Sequence, residues 1–177
     1  MNTKRRTVLG MGLAGLGLCG AGLAHAQVKP PAGRKVVLGQ SVPLTGAASE
    51  IGLAFAAGAK LYVDSFNARK NNPGWNFELR QLDDGYESAK ATANAKKLLE
   101  DGADVLFGFV GTASSDAGAA VAKAENAIFF GPFAASDTLR DAAHPFVFHV
   151  RPSMADEAFK MVRHCATLGQ TRIAVLA

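Results

Sequence analysis

The chain has 177 residues, 49% of them hydrophobic and 19% charged, with 19 Lys and Arg against 15 Asp and Glu. That balance excludes low-complexity disorder, and two cysteines, Cys19 and Cys165, exclude a disulfide scaffold. Three of the cations are Lys4, Arg5 and Arg6; without them 16 bases face 15 acids, which argues against a nucleic-acid partner.

Those three cations open the first predicted element, residues 1–26. An apolar run from Val8 to Leu23 follows them and ends at Ala24-His25-Ala26. A positive start, an apolar middle and a small-x-small site are the parts of a secretory signal. Cleavage after Ala26 leaves 151 residues, one domain's worth. The run itself has 16 residues, six of them glycine, short of the roughly 20 that span a bilayer. Arg5-Arg6-Thr7-Val8-Leu9 resembles a twin-arginine signal with Val8 in the aromatic's place, so the Sec and twin-arginine routes both fit. Leu18 before Cys19 argues against a lipid anchor. Gly10 to Gly15 spells G-x-G-x-x-G, but inside the apolar run and with no acid before Glu50, so it predicts no dinucleotide site.

Residues 27–34, with Pro30-Pro31-Ala32-Gly33, form a turn-rich lead-in. From there strands and helices alternate. Lys35 to Val42 is an apolar strand stopped by Pro43. A helix follows, with Ile51, Phe55, Gly58, Tyr62 and Phe66 spaced by three and four. Asn71-Asn72-Pro73-Gly74 breaks it. Phe77 to Leu82 is a second strand, ending at Asp83-Asp84-Gly85. Glu87 or Ser88 opens a second helix with a stripe of Ala91, Ala95, Leu98 and Leu99, and Gly102 closes it. Val105 to Val110 is a third strand, followed by a helix from about Ser115 to Ala124. Ile128 to Gly131 and Phe146 to Phe148 are the fourth and fifth strands, with an irregular segment at Ala135–Asp141 between them. Ser153, with Asp156 three residues on, starts a helix at capping-box spacing; Gly169 ends it, and Arg172 to Leu176 reads as a sixth strand. Cys165 falls within that last helix and is expected to be buried and inert.

Alternation with continuous apolar strands predicts an α/β fold: a parallel sheet with helices on both faces. Ligands of such sheets bind at the carboxyl ends of the strands, which singles out three loops. Gly111-Thr112-Ala113-Ser114-Ser115 opens a helix, so its free N–H groups and hydroxyls suit a carboxylate; a hydroxyl that merely caps the helix is the structural alternative. Thr45 to Glu50 has small residues that admit a ligand to the backbone, or Ser49 is a plain helix cap. Pro132-Phe133-Ala134-Ala135-Ser136 offers an aromatic wall and carbonyls, or Phe133 simply packs in the core. Asp83-Asp84 reads as a turn followed by a helix cap rather than a carboxylate pair. His144, His149 and His164 lack metal-ligand spacing, and neither a P-loop nor G-x-S-x-G is present; no cofactor or metal is expected.

Five segments, in this order, carry a resemblance: Val37 to Gly46, Asp83 to Tyr86, Gly108 to Thr112, Phe130 to Phe133, and Phe146 to Ser153. Together they resemble the periplasmic solute-binding proteins of ABC transporters, in the branched-chain amino acid-binding (type I) family. The resemblance covers residues 35–177 and implies two α/β lobes closing on a ligand by a hinge. Residues 35–150 then correspond to the N-terminal ligand-binding lobe and residues 151–177 to the incomplete start of the second, in a chain about half the family's length. It implies that Thr112, flanked by Ala113 and Ser114, receives a ligand carboxylate. Phe133, Ala134 and Ala135 supply backbone and small side chains; Ala135 stands where amino acid-binding members often carry a hydroxyl. Ser49 and Glu50 line the cleft mouth. The implied function is capture of a small carboxylate-bearing solute, a branched-chain or other amino acid first, in the periplasm for an ABC permease of the inner membrane. A ligand-sensing module of a receptor or regulator, and after it an exported α/β enzyme, are the alternatives. The first would be marked by a membrane segment or signalling domain beyond residue 177; the second needs a nucleophile-base-acid set, and no such set is found.

Overall fold

The computed structural model describes residues 33–72 and 74–174, so the predicted signal and most of the lead-in lie outside the described residues. Five parallel strands form one sheet: β1 (Lys35–Val42), β2 (Asn76–Asp83), β3 (Val105–Phe107), β4 (Ile128–Phe130) and β5 (Val147–Phe148), in the order β2-β1-β3-β4-β5. Helices α1 (Ser49–Asn67), α2 (Ser88–Glu100) and α3 (Thr112–Ala124) make the crossovers, and α4 (Met154–Thr167) follows β5. The strand order reverses at β1, because β2 is laid on one side of it and β3 on the other. That reversal opens a crevice between the ends of β1 and β3.

The parity of β1 decides which helix lies where. Val37 joins the core cluster of Ala91, Ala95, Leu98, Leu106, Ala122 and Phe129 on the α2/α3 side, since alternate side chains of a strand face opposite ways. Val42 packs with Ala56 and Val110 on the α1 side. Gln40, fully buried on that same side, is spared a desolvation penalty. Its amide donates to the Gly108 carbonyl at 3.1 Å and accepts from Gln81 at 2.7 Å, and Gln81 also donates to Ala56 in α1. Gly52 lets α1 sit directly on the Pro43 carbonyl; a Cβ there would lie 1.8 Å from that oxygen.

The α2/α3 face is the dense one, with Phe109 and Phe129 edge-on at 5.0 Å. On the α1 face the single helix covers only the β2-β1 side. Phe107 and Phe130 stack in its groove at 6.5 Å, and Ile128, Phe130 and Phe148 stay about half exposed.

Several predicted boundaries move. The third ladder ends at Phe107 because Gly108 turns to φ +58°, leaving Val110 to a lone bridge with Phe133. The following helix begins at Thr112 instead of near Ser115. A 3-10 turn, Thr138–Arg140, occupies the irregular segment and buries Leu139. Arg172–Ala174 pair with no strand among the described residues. A strand is stable only through a neighbour, and helix α4 before it buries none of its residues, so nothing brings 172–174 to the sheet. Cys165 is for the same reason half exposed and not buried.

Candidate functional site

Loops leaving β1, β3 and β4 converge at the carboxyl end of the sheet. Gly111 precedes α3 at φ +90°, a conformation open to glycine and costly for other residues. It is the residue that starts the helix, and no side chain caps the first turn. The structural alternative, a hydroxyl that merely caps α3, is therefore not what forms: Thr112 stands one place too late. Thr112 and Ala113 are exposed beside these N–H groups, whereas Ser114 and Ser115 turn inward. The Ser115 hydroxyl donates to the Phe109 carbonyl at 3.3 Å. That of Ser114, 1% exposed, has no partner among the described residues. The exposed Thr112 hydroxyl stands at an uncapped positive helix end.

The first turn of α1 is also uncapped. Ala48 is its starting residue, so Ser49, expected as a cap, is a half-buried residue of the helix itself, and Glu50 beside it is exposed. At α4 the chemistry differs. Ser153 and Asp156 form a full capping box, with Ser153 Oγ accepting the Asp156 N–H at 3.0 Å.

The loops after β3 and β4 are zipped together. Phe133 N–H donates to the Phe109 carbonyl at 2.8 Å and Gly111 N–H to the Phe133 carbonyl at 3.1 Å. Phe133 is 40% exposed, 5.0 Å from Phe55 of α1 and 5.3 Å under the Arg151 guanidinium. Its ring is thus a wall at the opening, not a core residue. Ala134 and Ala135 are buried behind it, and the Ala135 carbonyl accepts the Met154 N–H at 2.7 Å. Arg151 pairs with Glu157 at 2.6 Å, and its carbonyl accepts from Arg140 at 2.6 Å, which pins the segment leaving β5 to the loop after β4. His149 adds a bond between its Nε2 and the Leu139 carbonyl at 3.0 Å.

Asp83-Asp84 is neither an acid pair nor a cap. Asp83 Oδ1 accepts the N–H groups of Leu44 (2.8 Å), Thr45 (3.2 Å) and Gly85 (2.9 Å), and Oδ2 the Thr45 hydroxyl (2.6 Å). It brackets the end of β2 to the loop after β1. The Thr45 hydroxyl first, then the Gly85 N–H, holds its carboxyl down at about 2. Asp84 is fully buried, and burial pushes its pKa up. Its carboxylate accepts from Ser41 at 2.8 Å and from the Tyr86 N–H at 2.9 Å. Both aspartates thus shape the loop that carries Tyr86. Sequence reasoning missed Tyr86, Phe55 and Arg151 around this opening; the segments holding Tyr86 and Arg151 were visible only as pieces of a resemblance. Among the described residues no group of three or more His, Cys, Asp or Glu could hold a metal, and no helix is long and apolar enough to cross a membrane.

A family model described as periplasmic binding protein matches residues 35–177. The chain belongs to that family. Among solved structures, a possible leucine/isoleucine/valine-binding protein from Rhodopirellula baltica is similar at 30% identity and a TM-score of 0.69, over 80% of this chain and 38% of that one. A solute-binding protein of an ABC transporter from R. palustris, solved with benzoate, matches at 24% identity and a TM-score of 0.63, over 77% of this chain and 38% of that one. The branched-chain amino acid transporter substrate-binding protein LivJ of Streptococcus pneumoniae, solved with isoleucine, matches at 22% identity and a TM-score of 0.62, over 68% of this chain and 34% of that one. The last two share the fold. This member of the periplasmic binding protein family thus spans under two fifths of those structures, and what it describes is the first lobe of the type I fold. No curated protein matched by sequence.

Proposed function

We propose that this chain is the ligand-capturing first lobe of an exported solute-binding protein that collects a small carboxylate-bearing solute in the periplasm for an ABC permease. The observation that carries the reading is the uncapped first turn of α3, with exposed Thr112 beside it, at the crevice where the strand order reverses. An anion seated there gains the helix N–H groups and the Thr112 hydroxyl without needing a lysine or arginine. Phe133 and Phe55 supply an apolar side, and Ser49 and Glu50 stand at the start of the helix that carries Phe55. Such a site suits a solute with a carboxylate at one end and a hydrocarbon at the other. A branched-chain amino acid comes first, because the Rhodopirellula baltica relative carries that description and LivJ holds isoleucine; a benzoate-like acid comes second, from the R. palustris structure. The site binds and orients its solute, and the mechanism is capture followed by hinge closure.

Titration calorimetry of the full-length protein against L-isoleucine, L-leucine, L-valine and benzoate tests this. Binding of at least one at micromolar affinity or tighter is expected. Failure to bind any carboxylate, with binding of an uncharged solute instead, overturns the reading.

A further inference from the structure

Tyr86 holds a backbone conformation that tyrosine avoids. Its φ is +68°, in the left-handed region, where a bulky residue is an outlier that the surroundings must enforce. Enforcement is visible in the two hydrogen bonds that lead into it. Asp84 grips the Tyr86 N–H at 2.9 Å, and Asp83 grips the N–H of Gly85 at 2.9 Å. The strain brings no burial in return, because the side chain stays 51% exposed. Instead it carries the ring past the end of β1 to the start of α3. There the ring lies so close to Gly111 that a Cβ on that residue would be 2.5 Å from Cε2 and 2.7 Å from the hydroxyl oxygen. Gly111 is thus glycine for two reasons, its φ and this ring. The phenol hydroxyl has no protein partner among the described residues, and it stands at the same uncapped helix end as Thr112.

From this we infer that Tyr86 is a ligand-contacting, specificity-determining residue of the crevice. Its hydroxyl donates to the anionic end of the solute alongside the α3 N–H groups, and its ring limits the width of the anion's seat. The inference rests on the proposed capture of a carboxylate at α3. A merely structural Tyr86, a cover for Gly111, would need the ring but not the hydroxyl, and this separates the two cases.

Calorimetry on the full-length protein with L-isoleucine, benzoate and their carboxamides, in wild type and Tyr86→Phe, is the test. Tyr86→Phe keeps the ring and the backbone, so its thermal midpoint should match the wild type. Its affinity for the carboxylate that the wild type binds should fall about tenfold or more, the loss of a hydrogen bond to a charged group, with the carboxamide changed far less. Tyr86→Gly, which relieves the φ strain, should melt higher and still bind the carboxylate at least tenfold more weakly. Wild-type carboxylate affinity in Tyr86→Phe overturns the role of the hydroxyl while leaving the capture reading standing. A wild type that binds none of the four compounds overturns this inference for these solutes together with the capture reading, an outcome distinct from the first.

Discussion

Gly52 and Gly58 lie in the same helix and should respond to the same change with opposite signs. An alanine Cβ at Gly52 would sit 1.8 Å from the Pro43 carbonyl oxygen, 2.7 Å from its carbon and 2.9 Å from Pro43 Cγ. Reaching ordinary contact near 3.4 Å needs a retreat of about 1.6 Å, and the obstacle is backbone that cannot rotate away. The helix must therefore lift its own Ala56 away from Val42 and Val110, the small core beneath it. Overpacking of this kind costs about 1–3 kcal/mol, and a rigid obstacle belongs at the upper end. Replacing a mid-helix glycine by alanine returns about 1 kcal/mol, so Gly52→Ala should lose about 2 kcal/mol net. At Gly58 a Cβ meets nothing within 4 Å, so Gly58→Ala should gain about 0.5–1 kcal/mol. Urea unfolding followed by the fluorescence of Trp75, the one tryptophan of these 177 residues, would separate the two midpoints by about 1 M or more, at about 2 kcal/mol per molar. Equal stabilisation by both substitutions would refute the close seating of α1 on Pro43.

Thr112→Val keeps the side-chain shape and removes the hydroxyl at α3; carboxylate affinity should fall about ten- to a hundredfold by calorimetry, and unchanged affinity would leave Thr112 as a plain helix residue. Asp83 has a folded pKa of about 2 against an ordinary 3.8, so its stabilisation is complete above 3.8 and lost as pH falls from there through about 2. Asp83→Asn should cost about 1–2 kcal/mol at neutral pH and flatten the acid limb of a urea-midpoint profile; an unchanged limb counts against the bracket. Limited proteolysis of the 177-residue chain should cut first between Arg151 and Ala174, where Phe159 and Val162 are exposed on a helix with no buried residue; resistance there would show that α4 finds cover. N-terminal sequencing of exported protein should begin at Gln27, and a start at Met1 would refute the signal.

Sequence periodicity reached the sheet more readily than the crevice. The stripe of Ala91, Ala95 and Leu98 and the apolar run at Val105 follow from burial, which repeats along the chain and so shows in it. The Ser153–Asp156 box was legible because capping is local, three residues apart. The missed features are products of long-range contact. Asp83 looked like a turn residue alone, since its partners Leu44 and Thr45 lie 39 and 38 positions away. Tyr86 gave no signal in composition, because the left-handed backbone that aims it is imposed by Asp84 and by the loop, and no rule of spacing predicts tyrosine there. Strand ends were misplaced where a glycine, Gly108, broke a ladder that apolar content alone would have continued. Arg172–Ala174 shows the reverse: strand-like composition that finds no edge among the described residues stays unpaired there.

The zipper between Phe109, Gly111 and Phe133 bears on the thermodynamics of capture. Two loops joined by backbone hydrogen bonds at 2.8 and 3.1 Å, with an Arg140 guanidinium closing a third side at 2.6 Å, form one platform with little freedom left to lose. A ligand settling on it does not have to freeze these loops, which ordinarily costs about 0.5–1.5 kcal/mol for each side chain immobilised. The ordering penalty of binding then falls on whatever closes over the platform. On this side, release of water from Phe133 and Phe55 should dominate, giving a negative heat-capacity change as its signature, and the platform's own backbone amides should exchange hydrogen at nearly the same rate with the crevice empty or filled.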